Sequence, residues 1–203
     1  MKEQTATQTA PSATATERMS GAEAIIKCFL AEGVDTVFGY PGGAIMPLYD
    51  KFYGYQEQLK HILTRHEQGA THAAQGYARI SNKVGVAIAT SGPGATNLIT
   101  GLADAMIDST PMICITGQVG SHLLGTDAFQ ETDIVGISTP VTKWNCQITK
   151  AADIPTVFAK AFYIAQSGRP GPVLIDVTKD AQFEEFDFAY AKCESIRSYV
   201  PIP

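Results

Sequence analysis

Several things are scarce in this chain of 203 residues, and each shortage removes a class of function. Lys and Arg number 15 against 20 Asp and Glu, a net charge of −5, and no basic stretch is present. Nucleic acid and anionic membrane surfaces are therefore excluded as partners. No apolar run approaches the roughly 20 residues of a membrane span. The four cysteines, Cys28, Cys114, Cys146 and Cys193, form no C-x-x-C pair, and three lie in apolar segments. They read as buried thiols of a reducing cytosol, which makes the expected location cytoplasmic. The four histidines, His61, His66, His72 and His122, lack metal-ligand spacing, so no metal site is expected from this chain alone. Neither G-x-G-x-x-G opening a helix nor a P-loop occurs. Ser91 lies in S-G-P-G rather than G-x-S-x-G, which leaves a serine hydrolase unsupported. No internal repeat is present.

What remains is a globular composition, with 45% hydrophobic and 17% charged residues. Residues 1–18 are Thr-, Ala-, Gln- and Ser-rich without apolar period, and read as a disordered tail. Ser20-Gly21-Ala22-Glu23 has the capping-box pattern, and Ala22, Ile25, Ile26, Phe29 and Leu30 share a helical face that Gly33 ends. Apolar strands are expected at 34–39, 59–64, 84–89, 111–116, 141–148 and 173–177. Helices are expected after the first three of these and over 153–167. The segment 117–139 has no clear period, and a loop that long in a compact domain is usually functional. From 181 to 203 the chain turns polar and aromatic, like the start of an interdomain linker. Alternating strands and helices predict a three-layer α/β/α domain over 19–180, with a mostly parallel sheet of about six strands.

Four glycine-rich or polar segments then fall at the C-terminal ends of strands: 40–43, 65–67, 90–94 and 116–118. In an open parallel sheet that end binds ligands. Glu67 stands out, because it sits where a strand feeds a helix N-terminus. A first-turn carboxylate is also common for dipole reasons alone, and Gly42, Gly43, Gly92 and Gly94 could serve only as tight turns.

The ordered runs GYPGGA (39–44), RHEQGA (65–70), TSGPGATN (90–97), ITGQ (115–118), GTDAFQE (125–131) and SGRPGPV (167–173) together resemble the N-terminal pyrimidine-binding domain of acetolactate synthase (acetohydroxyacid synthase) catalytic subunits. The resemblance covers about residues 19–180. It implies a thiamine-diphosphate-dependent transferase that decarboxylates pyruvate and condenses it with a second 2-keto acid, either pyruvate or 2-ketobutyrate. That is the first common step of branched-chain amino-acid biosynthesis. Glu67 is then the catalytic residue, bonding N1′ of the cofactor's aminopyrimidine and promoting the tautomer that removes the thiazolium C2 proton. Tyr40, Pro41, Gly42, Gly43 and Gln130 would bind thiamine diphosphate, and Ser109 and Arg169 would contact a structural FAD. Ala44, Gly120, Lys143 and Lys179 would line the substrate and inhibitor channel. Gly120 stands where the family often has Pro, and His122 where some members have Arg. The family holds Mg²⁺ and the diphosphate on a separate C-terminal domain through G-D-G followed by N-N, a pattern absent here. The expectation is thus an inactive fragment whose site is completed by a second copy in a homodimer or tetramer, with a regulatory small subunit as a possible further partner. The alternatives are another thiamine-diphosphate-dependent decarboxylase, oxidase or carboligase, or a non-catalytic dimerisation module of the same fold.

Overall fold

Ser20 closes the first helix as the capping pattern requires: its hydroxyl accepts from the Glu23 amide at 3.3 Å. The computed structural model describes residues 16–201. In chain order the elements are β1 (Glu17–Ser20), α1 (Gly21–Ala31), β2 (Thr36–Gly39), α2 (Met46–Phe52), β3 (Lys60–Leu63), α3 (Glu67–Ser81), β4 (Gly85–Ala89) and α4 (Pro93–Thr96). There follow α5 (Ile99–Ile107), β5 (Met112–Gln118), α6 (Ile134–Ser138), β6 (Trp144–Ile148), α7 (Ile154–Gln166), β7 (Pro172–Thr178), α8 (Lys179–Phe183) and β8 (Glu185–Phe188).

Six strands form one parallel sheet in the order β3-β2-β4-β5-β7-β6. Strand periodicity sends alternate side chains to opposite faces. Val86, Ile88, Ile113, Ile115, Val173 and Ile175 pack under α1, α2 and α7. Ala87, Ala89, Met112, Cys114 and Leu174 face α3 and α5. Both faces are covered, so the expected three-layer α/β/α architecture is the one observed. The small residues on the second face let α3 approach closely: a side chain on Gly85 would begin 2.2 Å from the Ala74 carbonyl oxygen.

Three features depart from the reading by periodicity. The helix expected after Thr90-Ser91-Gly92-Pro93-Gly94 is two helices, α4 and α5. Between them the Leu98 amide bonds the Ala95 carbonyl at 3.1 Å, an i→i−3 turn that breaks the α-helical ladder. The segment 117–139 begins as strand, since β5 runs through Gln118. It later forms α6, whose N-cap Asp133 accepts from the Gly136 amide at 2.9 Å. Finally, β1 and β8 make a two-stranded antiparallel ribbon, Glu17 opposite Phe188 and Ser20 opposite Glu185. The ribbon joins the end of the expected tail to the start of the expected linker, although residues 1–15 of that tail lie outside the described residues. Arg18 strengthens it by facing both Glu185 and Asp187.

Among the described residues no helix is long and apolar enough to cross a membrane. The four cysteines are unpaired, with Cys28 and Cys114 fully buried.

Candidate active site

The chain runs from β2 outward to β3 and then returns to β4 on the other side of β2. Loops leaving the C-terminal ends of β2 and β4 therefore diverge, which opens a crevice there. The Tyr40–Ala44 turn, Glu67 and the Thr90–Gly94 turn all meet in it.

Thr90 is the hub. Its Oγ1 accepts from the Ala44 amide at 3.2 Å. A side chain on Gly42 would begin 2.5 Å from Thr90 Cβ, and one on Gly94 would begin 2.8 Å from Thr90 Cγ2. Only glycine lets both turns close on this threonine. Glu67 opens α3, with His66 as N-cap: His66 Nδ1 accepts from the Gln68 amide at 3.1 Å. The Glu67 side chain is 8% exposed and points into the crevice. Its Oε2 accepts from Asn97 Nδ2 at 2.9 Å, the one hydrogen bond it makes among the described residues. Its Oε1 faces Gly94, where a side chain would begin 3.3 Å away. A carboxylate with one oxygen held and the other open can share a proton with a ring nitrogen of a bound ligand. Tyr49 lies close enough to feel this charge. Burial first, and Glu67 second, push its phenol well up.

At the same end of the sheet lies a cavity of about 260 Å³, lined by Gly43, Ala44, Gly120, Phe129, Gln130 and Lys179 among others. Gln130 reaches it because its own backbone is left-handed (φ 60°) and rests on Gly92 (φ 56°), where a side chain would begin 2.7 Å from the Gln130 carbonyl oxygen. Tyr40 borders a second depression on the same end of the sheet, with Leu63, Thr64 and Arg65.

Three expected site residues lie elsewhere. Ser109, Lys143 and Arg169 precede β5, β6 and β7, so they occupy the N-terminal edge of the sheet. A seven-residue strand separates the two edges by about 23 Å. Arg169 caps the C-terminus of α5: Nε donates to Ser109 Oγ at 2.7 Å, and Nη2 donates to the Met106 and Ile107 carbonyls at 3.1 and 2.9 Å. Ser109 holds φ 55° to meet it. Lys143 caps α7 in the same way, donating to the Ile164 carbonyl and to that of Ser167 at 2.8 Å. It does not line the cavity that Lys179 lines.

Two polar groups, one at the crevice and one inside the sheet, were not singled out by sequence reasoning. Asn97 is one; nothing in its spacing points at Glu67, 30 residues away. Asp176 is the other, and a charged residue inside the apolar run Val173–Val177 was a usable signal. It is fully buried and accepts from Thr116 Oγ1 (2.6 Å), Gln147 Nε2 (2.8 Å) and Gln118 Nε2 (3.1 Å). Gln118 also donates to the Thr132 carbonyl at 3.0 Å, which ties the loop bearing Gln130 to the sheet. Burial raises the Asp176 carboxyl above the usual range, and those three donors pull against it. A raised native value means that stability is present below the unfolded value and lost as pH rises through the native one. Asp176→Asn removes that dependence. The stability advantage of wild type over Asp176→Asn is therefore expected to shrink as pH rises from 4, measured by denaturant melts at stepped pH. A widening gap would refute the buried titration. Asp35 and Asp180, both held near about 2, titrate below this window and cancel in the difference.

Among the described residues no three His, Cys, Asp or Glu side chains cluster so as to hold a metal ion.

The fold is that of a parallel α/β domain with a crevice at its C-terminal sheet edge and a buried carboxylate at a helix N-terminus within it. The family of thiamine pyrophosphate enzymes, N-terminal TPP binding domain, matches residues 19–137, and the chain belongs to it. Over most of its length the chain is also similar to acetolactate synthase large subunits. That of Corynebacterium glutamicum is 56% identical over 188 residues, 93% of this chain and 30% of the relative. A probable acetolactate synthase large subunit of Methanocaldococcus jannaschii is 59% identical over 169 residues, 83% of this chain and 28% of the relative. The large subunit of Cyanidium caldarium is 53% identical over 185 residues, 90% of this chain and 31% of the relative. The chain thus spans about 30% of the length of the curated relatives it matches.

Proposed function

We propose that the crevice binds the aminopyrimidine of thiamine diphosphate and that Glu67 is its proton-sharing partner, within a full-length acetolactate synthase. The observation that carries the reading is the state of Glu67: buried, held through Oε2 by Asn97, and open through Oε1 toward the Gly94 notch. The donor set fits the group. A basic ring nitrogen needs a carboxyl partner, and Gly43, with nothing within 4 Å of where a side chain would begin, leaves open space on the turn facing it. When bound, the cofactor supplies a thiazolium carbon that attacks a 2-keto acid and accepts the electrons of decarboxylation.

This chain's residues do the rest. Glu67 Oε1 holds or releases a proton at the pyrimidine edge. Tyr40, Pro41, Gly42 and Gly43 form the wall of the crevice, and Gln130 closes it from the neighbouring loop. Ala44, Gly120 and Lys179 border the cavity through which a 2-keto acid would enter, and the Lys179 cation suits a carboxylate substrate. The proposal extends to a structural FAD at Ser109 and Arg169, to Mg²⁺ held outside the described residues of this chain, and to a cytoplasmic homodimer or tetramer, with a small regulatory subunit. Lys143 is given no substrate role, because its ammonium is engaged by α7.

Incubating the full-length protein with thiamine diphosphate, Mg²⁺, FAD and pyruvate is expected to yield acetolactate, and acetohydroxybutyrate when 2-ketobutyrate is added. Acetaldehyde or acetyl phosphate without acetolactate would overturn the assignment in favour of another enzyme of the class. No turnover of pyruvate at all would overturn it in favour of a binding module.

A further inference from the structure

We infer that Asn97 is the positioning residue for Glu67: it selects Oε1 as the oxygen presented to the cofactor and sets how tightly the carboxylate holds a proton. The inference rests on the reading of Glu67 given above.

A glutamate carboxyl turns about a broad terminal torsion, so its two oxygens are equivalent until something distinguishes them. Here Asn97 alone does so. Its amide donates to Oε2 at 2.9 Å, and Glu67 takes part in no ion pair among the described residues. A carboxylate accepts only, so the NH₂ of Asn97 must be the end that faces it. Asn97 is itself half-buried and fixed by the backbone. It follows α4 directly, and its amide bonds the Pro93 carbonyl at 3.0 Å. The Gly92-Pro93-Gly94 turn thus does two things at once. It leaves the gap at Gly94 facing Oε1 and delivers the donor to Oε2.

The neutrality of the donor has a consequence. A Lys or Arg at this point would hold Glu67 ionised and weaken it as a proton acceptor. A neutral amide fixes the geometry and favours the anion less. Replacing Asn97 by Asp keeps the shape and puts a second carboxylate at hydrogen-bond distance. The pair must then share a proton, and its second ionisation is delayed.

The test uses the full-length protein with Asn97→Ala, Asn97→Asp, Glu67→Gln and the double variant Glu67→Gln/Asn97→Ala. Two readouts are taken: C2 hydrogen–deuterium exchange of bound thiamine diphosphate, and the infrared titration of the carboxyl band that Glu67→Gln removes, in cofactor-free protein. Asn97→Ala is expected to slow exchange by about 10- to 100-fold, the loss of one hydrogen bond to a charged group, with the cofactor's Kd little changed. Asn97→Asp, which preserves packing, is expected to move the carboxyl titration to higher pH. In the Glu67→Gln background, Asn97→Ala should cost little further, because two residues that act as a unit are not additive. An equal loss in both backgrounds, or a carboxyl titration that Asn97→Asp does not move, overturns the role of Asn97 and leaves Glu67 in place. Wild-type exchange in Glu67→Gln alone overturns the reading of Glu67 and this inference with it.

Discussion

Glu67→Gln in the full-length protein is expected to slow C2 proton exchange of bound thiamine diphosphate by about 10²–10⁴, the usual contribution of a positioned acid–base group. The amide has the size of the carboxylate and can still accept a hydrogen bond, so the fold and the crevice should survive. What it loses is the ability to give and take a proton at the oxygen facing Gly94. Stability should change little, since a side chain at the mouth of α3 with one hydrogen bond, which Gln can also accept, supports no core packing. The diagnostic pattern is therefore a collapse of exchange at an unchanged Tm. Exchange at the wild-type rate would remove Glu67 from the chemistry. A large fall in Tm would instead show that its role is to hold the crevice together.

The second large effect concerns what carries Glu67. Helix α3 lies on β4 with its backbone against Gly85, and a side chain there would meet Ala74 O at 2.2 Å and Ala74 C at 2.8 Å. These are main-chain atoms of a helix that cannot yield locally. Gly85→Val must lift α3 from the sheet, at a cost of about 3 kcal/mol, the upper end of ordinary overpacking. For a domain of this size that lowers Tm by roughly 6–12 °C. Because Glu67 begins the same helix, C2 exchange should fall as well. Gly76→Ala is the control: the added methyl meets nothing within 4 Å. Alanine is the better helix former, so it should be neutral or stabilising by about 0.5–1 kcal/mol. An unchanged Tm in Gly85→Val would mean that α3 is not seated as described.

Much of this was readable along the chain. The continuous apolar run before Thr90 implied a strand covered on both faces, and β4 is one. The switch from the 59–64 run to the Gly/Ala-rich segment after Arg65 located Glu67 at a strand–helix junction, where α3 begins. Other features were out of reach. The ribbon pairs Glu17 with Phe188, far apart in sequence, and both strands are too short and polar to announce themselves. Lys143 and Lys179 look alike in sequence, yet one caps α7 while the other borders the cavity. Arg169 follows a helix and so reads as its cap, but it caps a different one, α5.

By itself, then, the sequence determined the layers and the end of the sheet where chemistry belongs. Hydrophobic period and glycine placement are local properties, and a parallel strand–helix alternation has one binding edge. Which oxygen of Glu67 is held by Asn97, which lysine borders the cavity, and where Asp176 finds its three donors were decided only in three dimensions. Those outcomes depend on contacts between segments tens of residues apart, brought together by the strand order, and no window along the chain contains both partners.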